Sequence, residues 1–193
     1  MSVSRETLRK GLVVLNISFT EKMLDLLVAY LEELLRWNEK VNLISRRKKE
    51  PELLILSSLV PIHEVRGKVL DFGAGGGVVG IPIKILKPRI KLTLLESKTK
   101  KSVFLFHMKH FLGVDMEVVN MRAEDWKEGR GKFDSLLLRG VKPSSLVFEF
   151  LNPGGVLFYY GRMKGAEREI VSPFGRVSVV RKRVTPRGYG TAN

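Results

Sequence analysis

Residues 68–80 read Lys68-Val69-Leu70-Asp71-Phe72-Gly73-Ala74-Gly75-Gly76-Gly77-Val78-Val79-Gly80. The first five residues form a short apolar stretch typical of a buried strand, and a helix is predicted from about Val78 to Leu86. Glycines are needed at such a strand-to-helix turn, because a Cβ would block both the tight turn and the close approach of a ligand. The stretch therefore predicts a ligand-binding turn at the carboxyl end of a strand in an α/β fold.

Apolar strands and helices alternate along the chain after this turn. Strands are predicted at 91–96, 116–120, 133–138 and 155–160, a helix at 98–112, and a turn at Asn152-Pro153-Gly154. This alternation favours a parallel sheet with right-handed crossovers. Residues 176–184 predict one or two antiparallel strands at the sheet edge. We therefore expect a mixed sheet.

The first sixty or so residues have helical periodicity instead. Helices are predicted at about 5–14, 23–38 and 51–59, and Ser18 with Glu21 has the spacing of a capping box. We therefore expect a helical N-terminal extension over residues 1–62 and a Rossmann-like domain over residues 63–193.

Charge and composition narrow the classes of partner. The chain has 34 Lys and Arg against 20 Asp and Glu, a net charge of +14, which favours a polyanionic partner. It has no cysteine, which excludes disulfides and thiolate metal sites. No apolar run approaches the ~18 residues of a membrane span, and the N-terminus has no signal-peptide pattern. We expect a cytoplasmic protein without a membrane or metal partner.

Acidic residues stand at successive strand ends. Asp71 can receive an ammonium group, Glu96 can accept both hydroxyls of a ribose, and Ala123-Glu124 can hydrogen-bond an adenine edge. This combination favours a pocket for S-adenosylmethionine. Two alternatives remain, because Gly75, Gly77 and Gly80 also satisfy the dinucleotide pattern G-x-G-x-x-G, and acids at strand ends often cap helices.

The sequence resembles the RsmG (GidB) family of methyltransferases over about residues 24–165. The resemblance is carried by Trp37-Asn38-Glu39-Lys40-Val41-Asn42-Leu43, by residues 69–77 with Gly80-Ile81-Pro82, by Leu94-Leu95-Glu96-Ser97-Lys98 with Lys100-Lys101 and Phe104-Leu105, and by Arg122-Ala123-Glu124 and Phe133-Asp134 with Arg139. It implies a class I methyltransferase Rossmann-like fold with a seven-stranded mixed sheet. It also implies transfer of a methyl group from S-adenosyl-L-methionine to guanine N7 in the decoding-region loop of 16S ribosomal RNA, with S-adenosyl-L-homocysteine as product.

The resemblance assigns most of the cofactor site. It implies contacts at Gly73, Val78, Ala123, Glu124 and Arg139, with Glu96 on the ribose; the turn itself adds Asp71, Gly75 and Gly77. The chain departs from the family pattern at Leu54-Ile55-Leu56-Ser57-Ser58, where the family has His-x-x-Asp-Ser. It also has Val79 in place of a proline. After the fifth strand, the Lys-Gly of the family is either replaced by Tyr160-Gly161 or displaced to Lys164-Gly165.

The residue types agree with methylation at guanine N7. Methylation at pyrimidine C5 usually needs a thiolate, which is absent, and Leu138-Arg139-Gly140-Val141 lacks the Asn/Asp-Pro-Pro-aromatic turn used on exocyclic amines. Guanine N7 has a free lone pair, so no general base is required and we assign no catalytic residue. Catalysis would rest on positioning. Arg139 could donate to guanine O6 or pair with the cofactor carboxylate.

The basic residues give the expected RNA contacts, namely Arg46, Arg47, Lys48, Lys49, Lys98, Lys100, Lys101 and Arg187. The expected partner is 16S ribosomal RNA or a small-subunit assembly intermediate, bound by a monomer. Trp37 is expected as a core anchor, and His107 as a solvated or stacked histidine rather than a metal ligand. The alternatives are a small-molecule methyltransferase of the same fold, an NAD-dependent oxidoreductase and an RNA-binding module without activity.

Overall fold

The computed structural model describes residues 3–45 and 50–182. Its centre is a sheet of seven strands: β1 (Lys68–Phe72), β2 (Lys91–Leu95), β3 (Glu117–Val119), β4 (Phe133–Leu138), β5 (Leu151–Tyr159), β6 (Arg168–Ser172) and β7 (Gly175–Arg181). The strand order is β3-β2-β1-β4-β5-β7-β6. The first five strands pair in parallel, and β7 pairs antiparallel with both β5 and β6. The predicted mixed seven-stranded sheet is confirmed.

Helices cover both faces of the sheet, unequally. The helices are α1 (Arg5–Val14), α2 (Glu21–Asn38), α3 (Pro51–Ser58), α4 (Gly80–Leu86), α5 (Thr99–Leu112) and α6 (Ser145–Glu149). Side chains alternate between the two faces of each strand. Val69 and Leu137 pack in one core with α1–α5, while Leu70 and Leu136 pack in a second core with α6. The N-terminal helices thus share one core with α4, α5 and the sheet.

Local sequence chemistry explains the start of α2. The side chain of Thr20 accepts a hydrogen bond from the backbone N–H of Met23 at 3.2 Å, so Thr20 caps the helix and Glu21 is its first residue. The predicted cap at Ser18 was wrong by two residues. Ser18 and Thr20 are both good capping residues, and only the path of the backbone selects between them.

The end of the sheet differs most from the sequence-based expectation. β5 begins at Leu151, so the predicted turn at Asn152-Pro153-Gly154 lies inside the strand, where its register with β4 shifts. A bulge accommodates the proline and the glycine at φ 81°. The strand predicted at the edge, β7, lies between β5 and β6. β6 itself is largely exposed and has little apolar signal.

No helix in the described ranges is long and apolar enough to cross a membrane.

Candidate active site

The glycine turn follows β1 and is held in place by contacts on both sides. Gly73, Gly75 and Gly77 have φ values of 71°, 59° and 70°, which side chains disfavour. A Cβ on Gly77 would lie 2.4 Å from Cδ1 of Ile81. The hydroxyl of the buried Tyr30 donates a hydrogen bond to the carbonyl of Gly76 at 2.8 Å. Helix α2 therefore helps to fix the turn.

Asp71 lies buried beneath this turn. Its Oδ2 accepts a hydrogen bond from the backbone N–H of Gly80, the first residue of α4, at 2.9 Å. Burial raises the pKa of Asp71 to about 7, with a smaller raising contribution from Glu96 and opposing contributions from the Gly80 N–H and Arg139. The alternative considered from the sequence, that this acid caps a helix, applies only in part: the N-cap residue of α4 is Val79, and Asp71 accepts from the first N–H of the helix from a distant position in the chain.

Glu96 joins the glycine turn to the beginning of α5. Its Oε2 accepts a hydrogen bond from the N–H of Gly75, and its Oε1 accepts one from the N–H of Lys98, both at 2.8 Å. The carboxylate is thereby held in one orientation. An ionised carboxylate has about four acceptor positions, so each oxygen keeps a lone pair for a further donor.

A pocket of about 300 Å³ opens at the carboxyl ends of β1 and β2, on the face of the sheet that α6 covers. Its lining residues are Phe72, Gly73, Leu95, Ser97, Met121, Arg122, Ala123, Glu124, Val141, Ser144, Leu146 and Val147. Apolar walls with a few polar groups are typical of sites for small molecules and cofactors, and the volume is at the lower end of their range. The carboxyl end of a parallel sheet is also where such ligands bind.

The pocket brings together only some of the predicted cofactor residues. Gly73, Ala123 and Glu124 line it; Gly75, Gly77 and Val78 do not, and neither do the buried acids Asp71 and Glu96. The wall from Val141 to Val147 was missed, together with α6. Ser144 before two apolar residues, Leu146 and Val147, was a usable signal for a short helix start.

Arg139 lies on the opposite face, beneath α3. Its guanidinium donates to the carbonyl of Leu54 at 3.4 Å and to Oγ of Ser57 at 3.2 Å, and its Cζ lies 5.7 Å from the centre of the Tyr160 ring. In the described ranges, no carboxylate lies within 4 Å of it. Burial lowers the pKa of Arg139, while Tyr160, Asp71 and Tyr30 raise it. Ser57 belongs to the run that departs from the family pattern.

The expected RNA contacts are placed only in part. Lys98 and Lys100 are exposed, and Nζ of the half-buried Lys101 lies 4.0 Å from the position of a Cβ on Gly75. These lysines are at the carboxyl edge of the sheet, next to the glycine turn. The other predicted contacts lie outside the described residues, namely Arg46, Arg47, Lys48, Lys49 and Arg187.

His107 packs between aromatic side chains and contacts a buried carboxylate. Its ring stacks on Trp37 and on Phe111, with centroids 5.1 Å and 5.6 Å away, and its Nε2 lies 2.6 Å from Oε1 of Glu33. The described part of the chain contains no group of three or more His, Asp or Glu side chains that could hold a metal ion.

The strand order and the site at the carboxyl edge define the class I methyltransferase fold. Among solved structures, a protein from Methanococcus maripaludis assigned as an S-adenosyl-L-methionine-dependent methyltransferase superposes with a TM-score of 0.57. The match covers 81% of this chain and 94% of that chain at 9% sequence identity, so it supports the fold alone.

Sequence comparison identifies the family. The profile of the GidB family, described as rRNA small subunit methyltransferase G, matches residues 23–179. The ribosomal RNA small subunit methyltransferase G of Cellvibrio japonicus (strain Ueda107) is 32% identical over 93% of this chain and 87% of its own length. That of Dictyoglomus thermophilum (strain ATCC 35947 / DSM 3960 / H-6-12) is 36% identical over 77% of this chain and 66% of its own length. The chain belongs to the GidB family.

Proposed function

We propose that this protein methylates guanine N7 in the decoding-region loop of 16S ribosomal RNA, with S-adenosyl-L-methionine as the methyl donor. The observation that carries the proposal is the pocket lined by Gly73, Ala123 and Glu124, with the carboxylate of Glu96 beside it. The chain that forms this pocket belongs to the GidB family. The names of its relatives give the ribosomal RNA substrate.

The residues present fit the cofactor. Glu96 is fixed with free lone pairs at the end of β2, as two ribose hydroxyls require. Ala123 and Glu124 line the pocket and would contact the adenine edge, while Phe72 and Val141 would give its ring apolar walls. Asp71 beneath the turn would provide negative charge for the ammonium group. The same carboxylate would disfavour a pyrophosphate at the start of α4, which argues against NAD.

The mechanism needs positioning rather than proton transfer. When bound, S-adenosyl-L-methionine would supply an electrophilic methyl group to the lone pair of guanine N7, and S-adenosyl-L-homocysteine would be the product. Holding two reactants in line can lower the barrier by ~7–11 kcal/mol.

Arg139 is a half-buried cation, and no carboxylate lies within 4 Å of it in the described ranges. Its charge could attract the carboxylate of the cofactor or O6 of the target guanine.

The basic residues give the RNA-binding part of the proposal. Lys98, Lys100 and Lys101 beside the turn would neutralise phosphates near the target base, together with Arg46–Lys49 and Arg187. The substrate would be free 16S RNA or a small-subunit assembly intermediate, bound by a monomer in the cytoplasm without a metal ion. A small-molecule methyltransferase of the same fold has no need of the net charge of +14.

The decisive experiment uses purified protein, tritiated S-adenosyl-L-methionine and 16S RNA transcribed without modifications. We expect tritium in the RNA, and mass spectrometry should place it as 7-methylguanosine in the decoding-region loop. Transfer neither to this RNA nor to small subunits assembled from it, or transfer to a different atom, would contradict the proposal. Thermal melting with NADH and with S-adenosyl-L-homocysteine distinguishes the methyltransferase from an NAD-dependent oxidoreductase. Only S-adenosyl-L-homocysteine should raise the melting temperature.

Replacing Glu96 by glutamine is expected to weaken binding of S-adenosyl-L-homocysteine about 10- to 100-fold. A hydrogen bond to a charged group contributes about 1.5–3 kcal/mol, and the amide nitrogen of glutamine cannot accept. It would also face the N–H of Gly75 or Lys98. Calorimetric titration measures the change, with the exposed Glu128→Gln as control. Unchanged affinity in Glu96→Gln would exclude a ribose contact by this side chain.

A further inference from the structure

A second pocket lies at the C-terminal end of α2, outside the cofactor pocket. It has a volume of about 360 Å³ and is lined by Arg36, Trp37, Glu39, Lys40 and Val41. Proteins bind single-stranded nucleic acid by stacking bases on aromatic rings and by contacting phosphates with cationic side chains. We propose that this pocket holds one unpaired nucleotide of the RNA substrate, with its base on Trp37 and its phosphate at Lys40 and Arg36; the inference rests on the function proposed above.

The indole ring of Trp37 is fixed by its neighbours. It stacks on His107, lies 5.4 Å from the ring of Phe104 at a tilt of 58°, and donates from Nε1 to Oε1 of Glu33 at 2.8 Å. These contacts hold the side of the ring that faces α5, as expected of a core anchor. The residue is nevertheless only half-buried and also lines the pocket. A ring that is already ordered loses little conformational entropy when a base stacks on it.

The cationic end of Arg36 is exposed at the pocket, while the carboxylate that pairs with it is buried. Arg36 pairs with Glu33, yet the side chain of Arg36 remains 68% exposed while that of Glu33 is 8% exposed. The hydrogen bond from Arg36, followed by those from His107 and Trp37, lowers the pKa of Glu33 to about 2 despite its burial. This pair fixes Arg36 at the pocket. Lys40 is also exposed, so two cationic side chains are accessible to a phosphate, while Glu33 and Glu39 balance their formal charge.

The pocket and the active site border the same chain segment. The N–H of Leu43 donates to Oδ1 of Asn38 at 2.8 Å, and the carbonyl of Leu43 lies 3.9 Å from the position of a Cβ on Gly75. Leu43 lies two positions after Val41, which is in the pocket wall, and two positions span at most about 7 Å. A nucleotide flanking the target guanine can therefore reach the pocket while the guanine lies at the glycine turn.

Fluorescence tests the stacking directly, because the chain has only Trp37 and Trp126 as tryptophans. In the full chain with Trp126→Phe, a single-stranded adenosine hexanucleotide RNA should quench Trp37 fluorescence saturably. The ring contacts of Trp126 with Phe133 and Phe150 make phenylalanine a conservative replacement. An abasic RNA of the same length keeps the phosphates and should cause little quenching. Equal quenching by both RNAs, or by neither, would overturn the proposal.

Affinity measurements test the ring and the cation separately. Trp37→Leu should lower the affinity for the adenosine hexanucleotide between about 5-fold and about 150-fold, the range for one stacked base, while Trp37→Phe should stay within about 3-fold. Lys40→Gln should reduce the salt dependence of binding by a log–log slope of about 0.7. The control is Lys91→Gln, an exposed lysine at the amino end of β2, which should leave the slope unchanged.

The outcomes separate this inference from the proposed function. If Trp37→Leu does not fold, the pocket is still tested by the fluorescence titration and by the comparison of Lys40→Gln with Lys91→Gln. If the protein methylates 16S RNA but Lys40→Gln and Lys91→Gln have equal salt slopes of RNA binding, the proposed nucleotide pocket is contradicted and the proposed function is supported. Base-dependent quenching of Trp37 in a protein that transfers no methyl group would support the pocket and contradict the function.

Discussion

Replacing Gly77 by alanine is expected to destabilise the protein by about 2–5 kcal/mol and to disable the cofactor site. The left-handed conformation at φ 70° costs a residue with a Cβ about 1–2 kcal/mol. The new methyl group would also lie 2.4 Å from Cδ1 of Ile81 and 3.1 Å from Cδ2 of Leu105, and overpacking of a core adds about 1–3 kcal/mol. Urea unfolding measures the loss of unfolding free energy, and titration with S-adenosyl-L-homocysteine measures the affinity of the cofactor site.

The chain contains a matched control for this prediction. Gly113 ends α5 with φ 61°, and nothing lies within 4 Å of the position of its Cβ. Gly113→Ala should therefore cost only the backbone contribution, about 1–2 kcal/mol, and should leave ligand binding intact. If the two variants lost the same stability and kept the same affinity, close packing at Gly77 would not be what fixes the turn.

Replacing Asp71 by asparagine is expected to stabilise the protein near neutral pH while it weakens cofactor binding. Burial raises the pKa of Asp71 from 3.8 to about 7, so the folded chain binds more protons than the unfolded chain between these values. The free energy of unfolding therefore falls across this window, by an amount on the order of 4 kcal/mol, and does not fall further above about pH 7. Asparagine does not titrate, and its oxygen can still accept from the N–H of Gly80.

The measurement is the difference in unfolding free energy between Asp71→Asn and the unchanged protein at about pH 4.5 and about pH 7.5. This difference should increase in favour of the variant at the higher pH, whereas the exposed Asp125→Asn should show no such trend. Affinity for S-adenosyl-L-methionine should fall about 10- to 100-fold in Asp71→Asn if the carboxylate attracts the ammonium group. A pH-independent difference would show that Asp71 does not titrate in this window.

The contact made by Asp71 depends on tertiary structure. The sequence predicted that Asp71 lies at the end of a strand. Whether its carboxylate faces a ligand or a backbone N–H depends on where α4 begins. In the structure α4 begins at Gly80, and Oδ2 accepts from that N–H. Glu96 likewise orients the turn and α5 through two N–H groups. The sequence predicted acids at the correct edge of the sheet, and tertiary structure decided their partners.

The sequence alone determined the five parallel strands and the glycine turn, because both depend on local patterns. Apolar runs of strand length, helical periodicity and glycines at a turn are properties of neighbouring residues, and β1 and β4 were predicted with the bounds observed. Tertiary structure alone decided the position of β7 inside the sheet, the wall of the cofactor pocket around α6, and the placement of Arg139 under α3. Each of these depends on contacts between residues far apart in the chain, and such contacts leave no periodic pattern in the sequence.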